Sequence, residues 1–234
     1  MPVDPNSDIE ITAFRWVPDF AQGLVRDLRI RWALEEIGRP YRVRLLDATK
    51  PRPQEYFCEQ PFGQVPIYKD KDVELFESGA ILIHLGMQDE RLLPADPNGR
   101  MRGIAWLIAA LNSVEPAIFP LLMINIFNRG EPWTEAAKPK FIERLNGRLK
   151  CVSDALGDKE WLEGRFTIGD LMLIAVLRQL RSTGILDQFP NIAALVKRGE
   201  ARPAFQQALS DQLAVFAANE PQPTNIPQQE GAAA

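Results

Sequence analysis

Histidine and cysteine are almost missing from this chain of 234 residues, which has one histidine and two cysteines. A lone His84 supports neither a histidine-based metal cluster nor a Ser–His–Asp triad, so no metal site is expected and His84 reads as a structural residue of a helix. Two cysteines, Cys58 and Cys151, make no disulfide framework. They lie in no CxxC motif, so dithiol redox chemistry by the chain's own sulfurs is excluded, and both are expected as free, buried thiols. An excess of basic charge is also lacking. Lys and Arg number 27 against 31 Asp and Glu, for a net charge of −4, which disfavours a nucleic acid as the main partner. The longest apolar run, around Leu171 to Leu177, is far below the ~18–20 residues that cross a bilayer, and the first residues are polar and acidic. A cytoplasmic protein with no membrane association is the expectation. No internal repeat is visible. What is present, 46% hydrophobic and 25% charged residues, is ordinary globular composition, enough for one large or two modest domains.

The chain divides into unlike halves. Ile9–Phe14 alternates apolar and polar residues as a strand does, and Leu24–Ile37 carries helical spacing closed by Gly38 and Pro40. Tyr41–Leu46 alternates again, completing a βαβ unit with a parallel pair and right-handed crossover. Val65–Tyr68 and Val73–Phe76 flank a charged tetrapeptide as a hairpin would, and a helix follows over Ser78–Met87. Beyond Arg91 strand signals vanish. Helical patterns cover Arg102–Phe127, with breaks near Pro116 and Pro120, then Thr134–Leu156, Thr167–Gly184, Pro190–Gly199 and Pro203–Ala218. Thr167-Ile-Gly-Asp170 has the spacing of a capping box, and Leu171–Leu177 behind it is apolar on every face, as a central buried helix is. Residues 8–90, 98–218 and 219–234 are therefore expected as an α/β domain, an all-α helical bundle domain and a flexible tail.

The residues most suggestive of binding are Gln64-Val65-Pro66 and Glu77-Ser78. Pro66 belongs at the start of a strand or at an edge. A cis Val65–Pro66 bond would turn the Val65 amide and carbonyl outward as a free edge for an extended ligand. Ser78 stands where a strand gives way to a helix, and there unpaired N–H groups, the dipole and a hydroxyl favour a carboxylate. Glu77 beside it can hold an ammonium. Together they suit a free α-amino-acid group. The plainer reading is a serine that only caps its helix.

The βαβ-ββα half with Val65-Pro66 and Glu77-Ser78, followed by a helical half with Thr167–Asp170, resembles the cytosolic glutathione transferases over residues 8–218. The resemblance implies a thioredoxin-like N-terminal domain that binds glutathione as co-substrate. Val65 would pair with the cysteinyl backbone, and Glu77 and Ser78 would hold the γ-glutamyl end. Lys50 or Arg52 would lie near the glycine carboxylate, and Gln64 beside the tripeptide. It also implies a cytoplasmic homodimer with a detoxification role.

The catalytic position departs from that family, whose members activate the thiol with a Tyr, Ser or Cys after the first strand. Residues 14–26 contain none of these. Three substitutes stand open: Arg26 as a fixed cation, backbone amides at the helix start near Gly23, and the Gln22 carboxamide. Phe20 and Trp16 would wall the sulfur site. The plainer reading makes Arg26, Arg29 and Arg31 surface charges of an amphipathic helix, with Asp27–Arg31 a modest ion pair. Phe119 and Met123 would line an electrophile pocket, and Arg178 and Arg181, at an exposed helix end, would face an anionic substrate. The leading expectation is transfer of the glutathione thiolate to a small hydrophobic electrophile. Glutathione-dependent peroxide or disulfide reduction and a non-catalytic glutathione-binding scaffold are the alternatives.

Overall fold

A computed structural model describes residues 3–221. The expected tail therefore lies almost wholly outside the described residues. Strand β1 (Glu10–Phe14) pairs in parallel with β2 (Arg42–Leu46), in register Glu10 to Arg42 through Phe14 to Leu46. The crossover between them is α1, Asp27–Glu36. On its other edge β1 meets β3 (Ile67–Lys69) antiparallel, and β3 pairs antiparallel with β4 (Glu74–Phe76). The sheet order is thus β2-β1-β3-β4. A short helix α2, Tyr56–Glu59, fills the proline-rich connection where no element was anticipated, and α3 runs from Ser78 to Gln88.

The helical half begins with α4 (Pro97–Ala109), capped by the Asp96 carboxylate, which accepts from the Gly99 amide at 2.6 Å. It continues through a π-turn (Ala110–Val114) into α5 (Glu115–Leu122) and a second π-turn (Met123–Phe127). The expected break at Pro116 is thus absorbed by the widened turn just before it, which re-pairs the backbone around a residue without an N–H, whereas Pro120 is carried inside α5. The continuous helical run Pro97–Phe127 is 31 residues long and apolar enough to meet the length and composition of a membrane span, which no single apolar stretch suggested. Here its inner stripe of Leu107, Val114, Ile118 and Leu121 is buried in the bundle core.

Helices α6 (Pro132–Leu156), α7 (Ile168–Leu177), α8 (Pro190–Glu200) and α9 (Pro203–Ala218) complete the bundle. Helix α7 ends earlier than expected, passing into a single 3-10 turn at Arg178–Leu180. Its residues Leu171–Ile174, Val176 and Leu177 are fully buried. The approach to α4 is close at Gly169, where an added Cβ would lie 2.7 Å from the Trp106 Cβ and 2.9 Å from the Gly103 carbonyl oxygen.

The capping box forms as its spacing requires. The Thr167 hydroxyl accepts from the Gly169 amide at 3.1 Å, while the Asp170 carboxylate accepts from the amides of Thr167 and Leu162 at 2.9 Å each. Burial nonetheless raises the Asp170 carboxyl to about 6, those hydrogen bonds only partly opposing it. Folded Asp170 therefore keeps a proton that the unfolded chain has released, and its contribution to stability is lost as pH rises from about 4 to about 6. Thermal midpoints measured against pH should show this slope, and Asp170→Asn should remove it; an unchanged slope would exclude Asp170 as its source.

Both thiols are free, but contrary to expectation both are exposed. Cys58 and Cys151 sit on outward faces of α2 and α6, whose inward positions are taken by larger residues such as Tyr56, Leu149 and Val152. His84 is the structural residue anticipated, its Nε2 lying 3.3 Å from Asp70 Oδ2 within the ββα unit. No group of three or more metal-ligating side chains occurs among the described residues.

Candidate functional site

The Val65–Pro66 bond is cis. The segment before it is clamped from behind, since the Tyr56 hydroxyl donates to the Gln64 carbonyl at 2.6 Å and the Arg52 Nε to the Gly63 carbonyl at 3.1 Å. Thr12 on β1 completes the support: its hydroxyl accepts from the Ile67 amide at 2.7 Å and lies 3.1 Å from the Tyr56 hydroxyl. Sequence reasoning missed Tyr56, whose signal would have been a phenol inside the short helix of a proline-rich loop. At the other side of the site Glu77 adopts φ 67°, a conformation uncommon outside glycine. That turn ends β4 and starts α3 abruptly, leaving Glu77 exposed and Ser78 buried at the helix N-terminus.

Between these two edges lies a network of charge that the sequence did not disclose. Arg26 Nη1 donates to Gln64 Oε1 at 3.2 Å. Arg29 Nη1 donates to Ser78 Oγ at 3.2 Å and Arg29 Nη2 to Glu115 Oε1 at 2.7 Å. Gln179 Nε2 reaches the same Glu115 oxygen at 3.2 Å, and Arg26 Nη2 stands 3.7 Å from it. One carboxylate thus faces two guanidiniums, and exposed Glu77 adds a second negative charge that acts on Arg29. The two cations hold the Glu115 carboxyl below the usual range despite its burial, while burial lowers the proton affinity of Arg29.

Two expectations about the first helix are corrected here. It begins at Asp27 rather than near Gly23, which has φ +73° and sits in a turn, so the helix-start amides belong to residues next to Arg26. Nor are its arginines surface charges. Arg29 and Arg31 are 3% and 1% exposed, because α1 is covered by the sheet and α3 on one side and by α7 and α9 on the other. Asp27–Arg31 is a buried pair, with Nε to Oδ2 at 2.8 Å and Gln212 donating to Asp27 at 2.7 Å. Arg26 alone remains partly open, its side chain 42% exposed.

The Gln22 carboxamide donates to the Val17 carbonyl and the Asp19 carboxylate, both at 3.2 Å, so its N–H groups serve its own loop. Lys50 is an exposed loop charge 3.5 Å from Asp47. Arg52 spends Nε and Nη1 on the carbonyls of Gly63, Asp47 and Lys50 and packs over the Phe14 ring, which makes it a brace of the loop.

A cavity of about 590 Å³ opens between the β1–α1 loop, the end of α5, α6 and the segment after α7. Phe20, Leu24, Leu122 and Ile142 supply apolar walls, with Gln179 and Arg181 at the rim. Phe20 meets Phe127 edge-on at 6.2 Å. Trp16, Phe119 and Met123 do not line this cavity; Trp16 is half-buried, while Phe119 is 57% exposed on the outer face of α5. Arg178 is not at an exposed end either. It is buried, paired with Glu200 at 2.7 Å, stacked over Phe205 and bonded to the Gly23 carbonyl. The helix end is covered because the β1–α1 loop folds down onto it.

Comparison with known proteins agrees with this architecture. The glutathione S-transferase N-terminal domain profile matches residues 21–86, and the C-terminal domain profile matches residues 123–212. A glutathione S-transferase of Escherichia coli O157:H7 is 33% identical over 186 residues, covering 76% of this chain and 89% of that protein. Glutathione S-transferase F14 of Arabidopsis thaliana is 31% identical over 158 residues, covering 62% of each chain. Among solved structures, a Burkholderia graminis glutathione transferase with two glutathione molecules bound per subunit superposes with a TM-score of 0.77 at 24% identity, covering 86% of this chain and 87% of that one. From a cis-proline edge, a Ser78 helix start and a helical bundle closing over both, together with these matches, it follows that the chain belongs to the glutathione S-transferase family.

Proposed function

We propose that the chain binds glutathione along the Val65–Pro66 edge and transfers its thiolate to an electrophile held in the adjoining cavity. The observation that carries this reading is the Arg29–Ser78 contact. Because the Ser78 oxygen accepts from Arg29 at 3.2 Å, its own hydrogen is left free to donate. A γ-glutamyl carboxylate at the α3 N-terminus would meet that hydroxyl, the helix amides and the field of the buried guanidinium. Exposed Glu77 stands beside it for the ammonium. Val65 offers backbone hydrogen bonds to the cysteinyl residue, and Gln64 is steadied by Arg26.

A glutathione held in this way would bring its sulfur near the start of α1, where Arg26 would take the place of the family's Tyr, Ser or Cys. A thiol of pKa ~8.5 needs about 1.4 kcal/mol of preferential thiolate stabilisation for each unit of lowering. A partly exposed guanidinium and neighbouring amides can supply that without a proton of their own to lose. Reaction then requires little beyond holding thiolate and electrophile together. Arg26 is the catalytic candidate, Phe20 a wall of the electrophile cavity, and Tyr56 and Arg52 positioning residues.

Glutathione titrations by calorimetry test the reading. Wild type should bind, and Ser78→Ala should weaken binding by about ten- to a hundredfold, in line with the ~1.5–3 kcal/mol of a hydrogen bond to a charged group. Unchanged affinity in the variant would remove Ser78 from the site, and absence of binding by the wild type would leave a scaffold.

A further inference from the structure

The two charged side chains that line the electrophile cavity have one sign. Its lining includes Lys138 and Arg181 and no carboxylate. Neither cation forms an ion pair among the described residues, whereas Arg178, three positions before Arg181, is neutralised by Glu200 at 2.7 Å. Arg181 has only the Gln22 carbonyl, at 2.9 Å from Nη2. Of the carboxylates nearby, Glu115 is already engaged by Arg29, Arg26 and Gln179, and Glu200 by Arg178. Burial and the like charge of Arg178 both press against the charge on Arg181, with Glu200 as the opposing influence. The remaining walls are Phe20, Leu24, Leu121, Leu122, Ile142 and Ile185. A wholly neutral hydrophobic guest would fill those walls but leave two cations partly desolvated and uncompensated, which is unfavourable.

We infer that this cavity selects an electrophile with an apolar body and an anionic group, a carboxylate or sulfonate, seated between Lys138 and Arg181. The inference rests on the glutathione reading above and names the substrate class of the same site. About 590 Å³ is ample for a substituted aromatic ring. Gln179 lines the cavity and also bonds Glu115, so the guest's reactive end adjoins the arginine network while its anion lies toward α6 and the segment after α7.

A chloronitrobenzoate and the matching neutral chloronitrobenzamide separate charge from shape. In either reaction the glutathione sulfur bonds to the ring carbon carrying chlorine, the C–Cl bond breaks, and chloride leaves with its electron pair. The thiol proton goes to solvent. Each kcat/KM is divided by the uncatalysed rate constant, which cancels the difference in ring reactivity. The benzoate should be favoured at least tenfold, about 1.4 kcal/mol. Lys138→Gln should shrink that preference, Lys138→Gln with Arg181→Gln should bring it within twofold of unity, and Lys138→Arg should restore it. A ratio near one in the wild type, or a ratio that survives the double substitution, overturns the inference.

Dissociation constants for unreactive nitrobenzoate and nitrobenzamide, measured without glutathione, decide the same point independently. A chain that binds glutathione but treats the two alike loses only the anionic selectivity. One that prefers nitrobenzoate tenfold but binds no glutathione keeps the anion-binding cavity and loses the transferase reading.

Discussion

Arg29→Met is expected to destabilise the protein by ~3–5 kcal/mol and to weaken glutathione binding by well over tenfold. Arg29 is 3% exposed and is the closest partner of Glu115, itself only 15% exposed. Without it the Glu115 carboxylate keeps Arg26 at 3.7 Å and Gln179 at 3.2 Å, too little to offset its burial. The Glu115 carboxyl, now held low, would then rise. In the wild type a lowered carboxyl contributes stability that is present above the ordinary glutamate pKa and is lost as pH falls through the folded value. In the variant the sign reverses, and stability should fall as pH rises. Pairing Arg29→Met with Glu115→Leu removes the orphaned charge and should recover most of the stability while glutathione affinity stays low. Recovery of both would make Arg29 a structural residue only; chemical denaturation and calorimetry on the three variants read the two properties separately.

Arg26→Met should leave the fold nearly untouched, since its side chain is 42% exposed. It should raise the pKa of bound glutathione by about one unit toward ~8.5, seen as a shift in thiolate ultraviolet absorbance against pH. The effect on rate has a diagnostic shape. Below both pKa values the thiolate fraction falls about tenfold, but a Brønsted slope of about 0.4–0.5 makes the remaining thiolate more reactive, for a net loss of about three- to fourfold. Above both values the variant should overtake the wild type by about threefold. Crossing pH–rate profiles, with Arg26→Lys behaving as wild type, would identify the cation as the thiolate partner. Parallel profiles with an unmoved thiol pKa would transfer that role to the α1 amides.

Much of the site's frame was legible in the sequence because local chemistry produces it. Pro66 at a strand entrance and Ser78 at a strand-to-helix junction follow from backbone rules that hold wherever the residues occur. The Thr167–Asp170 box caps α7 through contacts no more than eight residues apart. Arg29 was not legible in this way. Its charge, shared with Arg26 just before α1 and Arg31 within it, is that of a surface residue, and only the covering of α1 on both faces turns it into the buried link between Ser78 and Glu115. The same holds in reverse for Arg178, which looks like a free helix-end charge until the β1–α1 loop settles on it.

By itself, then, the sequence determined the order of the strands and of the long helices, the Thr167–Asp170 cap, the edge at Val65–Pro66 and the absence of a hydroxyl or thiol in the loop after β1. These depend on residues close together in the chain, whose propensities and hydrogen-bonding groups act over short distances. Tertiary structure alone decided which charges are buried, that Glu115 from the helical half neutralises cations from the other, and that Lys138 and Arg181 share one cavity. Burial and electrostatic pairing depend on what the rest of the chain brings within a few ångströms, and here the partners stand 86 residues apart for Arg29 and Glu115.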